Sequence, residues 1–170
     1  MTPSTAAPVF TETQWFFRRW WWLLVGAAAT LVLPLALAAQ KPQAMKALLI
    51  ALPLLLLVLA GLCLVKLTVR VDSAGIHYQY VPFINRWRHW PWSEFRQVAP
   101  RTYSPLGDYS GWGLRGLPGN LAYNVWGTAG LQLVFGSGNR LLLGTQQPAE
   151  LHRVLVVLQA AYPDYPIALK

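Results

Sequence analysis

Charge is scarce in this chain. Only 12% of its 170 residues are Asp, Glu, Lys or Arg, and only 6 are acidic; an average soluble domain carries roughly 25% charged residues. So few carboxylates leave no pair arranged for general acid–base work, and no GxSxG motif offers a nucleophile. Cysteine is scarcer still. The single Cys63 cannot close an internal disulfide, and no CxxC or Cys/His pair suggests a metal. It reads as a small apolar residue within a hydrophobic run. His77, His89 and His152 lie far apart in sequence, with no HxxxH spacing, whereas a metal needs three or four converging ligands. These absences predict a chain that is not an enzyme and holds neither metal nor cofactor. Dense Lys/Arg runs are also missing, although 14 basic residues give a net charge of +8. The positive excess is scattered, so position must decide between nucleic acid, anionic lipid and membrane topology.

Apolar residues are abundant, at 55% of the chain, and they are concentrated. Residues 20–39 carry no charge. Residues 44–65 form a second run, with Lys46 near its start and Lys66 just beyond its end. Each is about the 20 residues that cross a hydrocarbon core as a helix. Pro34 and Pro53 are tolerated in such helices, and Gly26 and Thr30 make a small-xxx-small pair that would allow close helix approach. The connection Gln40-Lys41-Pro42-Gln43 is short enough to force an antiparallel hairpin. Trp15-Phe16-Phe17 and Trp20-Trp21-Trp22 bracket Arg18-Arg19, as at a membrane interface. The expectation is a transmembrane hairpin over 20–65, with an N-terminal cytoplasmic segment at 1–19 and a separate domain at 66–170. The competing reading of the first run is a cleaved signal peptide, ending near Ala36-Leu37-Ala38. Arg18, Arg19, Lys66 and Arg70 flank one side, against Lys41 and Lys46 on the other. The positive-inside rule then places both termini and the following domain in the cytoplasm.

Beyond the second run the pattern changes to period two. Residues 67–72 alternate and are β-branched, 72–75 is a turn, and 76–81 is a second strand. Further strands are predicted at 86–90, 95–103, 121–125, 131–135 and 140–143. A tight hairpin turn falls at 136–139, and residues 104–120 form a long Gly/Pro-rich loop. Leu151, Val154, Leu155 and Leu158 share one helical face after Pro148, which predicts a closing amphipathic helix.

Val71-Asp72-Ser73-Ala74-Gly75-Ile76, Trp90-Pro91-Trp92-Ser93-Glu94-Phe95, Tyr109 to Arg115, Ala122-Tyr123-Asn124 and 141–151 together resemble the bacterial pleckstrin-homology-like domains of small membrane proteins. Those proteins carry a pair of N-terminal transmembrane helices, so the resemblance implies a multi-pass protein of a bacterial cytoplasmic membrane. The resemblance implies an α+β membrane protein in which the helical hairpin precedes a PH-like antiparallel β-barrel capped by a C-terminal α-helix. Eukaryotic relatives of that fold bind phosphoinositides through basic residues in the first hairpin loop. Here that loop, Asp72-Ser73-Ala74-Gly75, has none.

Gly111-Trp112-Gly113-Leu114-Arg115-Gly116 matches GxGxxG literally. A dinucleotide site needs a helix to follow, and Pro118-Gly119-Asn120 excludes one. Trp112 and Arg115 either brace this loop or form an interaction surface. Arg86, Arg88, Trp90 and Trp92 share parity on one strand. Arginine among aromatics can stack single-stranded nucleic acid, but next to a membrane span it reads as a lipid-facing surface, with Lys66, Arg70, Arg86, Arg88 and Trp90 as contacts. The sequence thus predicts a non-catalytic, membrane-anchored interaction module. Its partners would be the bilayer and a membrane or cytoplasmic protein or a second copy, with no nucleic acid. The alternatives are a small-ligand-binding protein or enzyme using the Gly-rich loop, or an accessory subunit of a larger membrane complex.

Overall fold

In a computed structural model, the backbone is described for residues 9–38 and 42–169, and side chains for these except 20, 24, 28, 31–38, 42–45 and 47–48. The chain divides into two compact units, one of Met1–Gln14 with Lys66–Lys170 and one of Trp15–Val65. The first begins with a strand that the sequence did not predict, β1 (Phe10–Trp15), with Phe10, Glu12 and Gln14 buried and Thr11, Thr13 and Trp15 exposed. It neighbours β2 (Lys66–Asp72), followed by β3 (Gly75–Val81) and β4 (Ile84–Pro91), in the sheet order β1-β2-β3-β4. Thr13 and Thr68 hydroxyls lie 3.3 Å apart across β1 and β2. Phe10–Trp15, within the expected N-terminal segment 1–19, thus starts the first sheet.

Pro91 closes β4, and a short 3-10 turn, Trp92–Glu94, redirects the chain. A second sheet follows: β5 (Phe95–Thr102), β6 (Gly113–Leu117), β7 (Asn120–Asn124), β8 (Ala129–Phe135) and β9 (Arg140–Thr145). Its order is β5-β8-β9-β7-β6, and β7 runs parallel to β9. This corrects the expected single barrel. The strands hydrogen-bond in two separate sheets, and the parallel β7–β9 pair replaces the simple antiparallel meander. The expected long loop at 104–120 is largely ordered as well: Ser104 caps a short helix over Pro105–Tyr109, accepting from the Gly107 N–H at 3.1 Å, and β6 pairs with β7.

The closing helix, Pro148–Ala161, is as predicted, with Leu151, Leu155 and Leu158 buried. The tail after it binds both sheets. The Ala168 N–H donates to the Val98 carbonyl at 2.8 Å, Val98 N–H to that of Pro166 at 2.7 Å, and the Tyr165 hydroxyl to that of Ser73 at 2.7 Å. The Tyr165 ring stacks on Trp92 at 4.8 Å, and Trp92 Nε1 donates to the Asp72 carbonyl at 3.0 Å.

The second unit holds two helices, Phe16–Ala38 and Pro42–Leu64, each of 23 residues. Sequence places this unit between β1 and β2. The Phe16 N–H donates to the Val65 carbonyl at 3.0 Å, joining its two ends. Leu49, Ile50, Leu54 and Leu57 are exposed. Among the described residues no helix is long and apolar enough to cross a membrane. This finding overturns the transmembrane hairpin, and with it the α+β membrane class, the multi-pass assignment and the bacterial cytoplasmic-membrane localisation. Charge falls inside both helices, Arg18-Arg19 in the first and Lys46 in the second, and a charged side chain is costly within a membrane-crossing stretch. The central part of the two expected spans, 31–45, lies outside the described side chains. Among the described residues, a Cβ added at Gly26 would meet nothing within 4 Å. The Thr30 hydroxyl instead donates to the Ala27 carbonyl of its own helix at 2.8 Å.

Two buried carboxylates are shifted in opposite electrostatic senses. Glu12 is buried on β1 and accepts from the Thr145 hydroxyl at 2.6 Å and the Gln146 N–H at 2.8 Å. Burial pushes its carboxyl above the usual 4.5, although the hydrogen bonds from Thr145, Gln146 and Gln14 oppose the rise. Asp72 makes the first β-turn. Burial would raise it, but the Ala74 N–H, His77 and Arg70 together hold it below 3.8. The signs follow from linkage. The folded state holds the Glu12 proton more tightly than the unfolded chain, so that contribution to stability is complete below pH 4.5 and is lost as pH rises through the raised value. Asp72 contributes above 3.8, and its share is lost on acidification. Glu12→Gln keeps an acceptor for Gln146, and the Thr145 hydroxyl can rotate to accept from the new amide. Denaturant titrations across a pH series should show stability falling above pH 4.5 in the wild type and a flatter profile in Glu12→Gln. An unchanged slope would remove Glu12 as its source.

Candidate ligand cleft between the two sheets

Register places Tyr78 opposite Arg88 and Ile76 opposite Trp90 on β3 and β4. Tyr78, Tyr80 and Ile76 are buried, so Arg88 and Trp90 lie on the inner face of the first sheet. The second sheet contributes Leu121 and Tyr123 from β7, Phe135 from β8 and Leu141 from β9. These side chains line a cleft of about 410 Å³, within the range of small-molecule sites, roughly 300–1,000 Å³. The Trp90 and Phe135 rings meet edge to face at 5.0 Å, and Tyr78 and Tyr123 are tilted at 5.7 Å. The rim is polar: Ser93 and Glu94 from the 3-10 turn, and Ser137, Asn139 and Arg140 from the β8–β9 hairpin.

The electrostatics are mixed, with one carboxylate and one guanidinium on the rim. Glu94 and Arg140 are both exposed, and neither forms an ion pair among the described residues. Burial raises the Tyr78 hydroxyl, opposed by the Trp90 N–H and the Arg88 charge. Burial also raises Tyr123, Tyr78 adds to the rise, and Arg88 opposes it. Arg88 therefore acts on the tyrosines from the cleft's edge. Trp90 Nε1 is buried and faces the Tyr78 hydroxyl, but makes no hydrogen bond of good geometry among the described residues. A buried donor left without a partner is costly, so a ligand acceptor reaching it would be rewarded. Among the described residues no group of three or more His, Cys, Asp or Glu could hold a metal ion.

The other candidate residues fall elsewhere. Trp112 stacks on Trp126 at 4.8 Å and donates from Nε1 to the Gly127 carbonyl at 3.3 Å. Arg115 Nε donates to the Trp112 carbonyl at 3.0 Å. Both residues thus brace their own loop, while Arg115 also lines a shallow recess with Asp108, Leu114 and Leu117. The five expected surface contacts do not share a face. Arg70 stands opposite His77, on the side away from Arg88, where it pairs with Asp72 at 3.0 Å. Lys66 has the parity of Arg70, whereas Arg88 and Trp90 stand opposite Tyr78 and Ile76 of β3, and Arg86 falls in the irregular stretch between Ile84 and Arg88. The sequence reading named Trp90 but missed Tyr78, Tyr123, Phe135, Glu94 and Arg140. They come from distant strands, and aromatic residues at strand spacing read first as core.

No family model, curated protein or solved structure matches this chain.

Proposed function

We propose that this protein is a non-catalytic binding module whose cleft between the two sheets takes a small molecule with a planar apolar body and an acidic group. The observation that supports this reading is the composition of the cleft: Tyr78, Trp90, Leu121, Tyr123, Phe135 and Leu141 below a rim that carries Arg140. Rings bury well against aromatic walls. A guanidinium at the rim suits a carboxylate or phosphate in bidentate geometry, and Arg88 adds to the positive field. Glu94 on the same rim selects against ligands with two acidic groups and favours one that also carries a donor.

Incorporating fluorotryptophan gives Trp90 its own resonance, assigned through Trp90→Phe. Aromatic carboxylates should shift that resonance saturably, and their neutral amides should bind more weakly. Arg140→Glu should weaken the acids by about tenfold or more, which corresponds to about 1.4 kcal/mol. Equal binding of acids and amides, or a Trp90 signal that no ring compound moves, would remove this reading.

A further inference from the structure

The strand β4 ends the first sheet, in the order β1-β2-β3-β4. Its ladder with β3 is regular from Gly75↔Pro91 to Tyr78↔Arg88, with a bulge beyond. Asn85, Arg86, Trp87, Arg88 and His89 are all exposed. Among the described residues, no main-chain bond outside this ladder covers 84–91. A strand of 8 residues with an open edge is a template for a further strand, since its outward N–H and C=O groups have no protein partner. Neighbouring Phe83 is 65% exposed and Trp87 51% exposed. Neither Arg86 nor Arg88 forms an ion pair among the described residues.

From this edge we infer that β4 is a docking site for an extended acidic peptide, which adds as an outer strand beside Arg86 and Arg88. Charge decides between the candidate occupants. A second copy pairing antiparallel about Trp87 would set Arg86 of each chain directly against Arg88 of the other. Like charges directly opposite one another destabilise a strand pair. An extended segment with Glu or Asp on alternate positions would instead place its carboxylates opposite both guanidinium groups. Its other residues would fall on the side of Trp87, because strand side chains alternate between faces. The main chain would supply affinity and the two arginines selectivity. Arg88 serves both readings, and only strand addition needs the peptide's main-chain hydrogen bonds.

The test uses the full chain and a fluorescent peptide of about ten residues alternating Glu with Thr or Val. Anisotropy should show saturable binding, and hydrogen exchange should slow across 84–91. A peptide with Lys for Glu should not bind, and Arg86→Glu with Arg88→Glu should weaken the acidic peptide by about tenfold or more. Methylating alternate peptide nitrogens leaves the charge intact but removes strand hydrogen bonds, so it should abolish binding. Three results overturn the inference. One is unchanged binding of the methylated peptide, which would leave charge adherence alone. Another is equal binding of the Lys peptide. The third is concentration-dependent dimerisation that protects 84–91 without any peptide, which would make a second copy the occupant.

Discussion

Leu155→Ala should lower the unfolding free energy of the β-rich unit by about 2–5 kcal/mol. Leu155 is fully buried, and Leu151 and Leu158 share its side of the helix. Truncation removes the transfer energy of the lost methyls and leaves a cavity that rigid strands cannot collapse to fill. His152 is exposed one turn away, so His152→Ala should change stability by no more than about 0.5 kcal/mol. Urea denaturation, followed through a probe in the second sheet, separates the two outcomes. Equal, small losses would show that the helix contributes little to the core.

Gly75→Ala should cost about 2–4 kcal/mol and should also weaken the cleft. The backbone at Gly75 has φ +150°, which side chains rarely adopt. An added Cβ would run into the Trp90 carbonyl oxygen and lie 2.9 Å from the Pro91 Cα, both main-chain atoms that cannot turn aside. The change must therefore push β4 away from β3 where Trp90 lines the cleft. Gly138→Ala is the comparison. It also has positive φ, at +86°, but its Cβ would meet nothing within 4 Å, so it should cost only about 1 kcal/mol. Thermal denaturation of the two variants, together with the Trp90 resonance, tests the idea. If the two glycines prove equally tolerant, the close approach of β4 to Gly75 is not a constraint.

Some elements were legible because one local signal was enough. The turn at Asp72 was readable from Asp72-Ser73-Ala74-Gly75, and the carboxylate indeed accepts from the Ala74 N–H at 2.9 Å and from Gly75 at 3.2 Å. The closing helix was readable from Pro148 and from leucines at helical spacing. The strand β1 was illegible for a physical reason. Two of its three inward residues are Glu12 and Gln14, and its outward residues include Trp15, so the alternation of hydrophobicity is inverted. Those polar groups are tolerated inside only because Thr145, Gln146 and the Gly144 carbonyl meet them, the last 2.7 Å from Gln14 Nε2. β6 was hidden in a similar way, as a Gly-rich strand that reads as loop.

The sequence by itself determined local matters: where the chain turns, which stretches alternate, which face of the last helix is apolar, and that no metal-ligand spacing or nucleophile motif is present. These depend on neighbours within a few residues, and propensity and periodicity record them directly. Only the tertiary structure decided that the strands separate into two sheets rather than one barrel, that residues before the first helix join the first sheet, and that Tyr78, Trp90, Tyr123, Phe135 and Arg140 surround one cleft. Those outcomes depend on hydrogen bonds and packing between residues far apart in the chain, where pairing is chosen by the sum of many contacts, and period-two patterns are compatible with several strand orders.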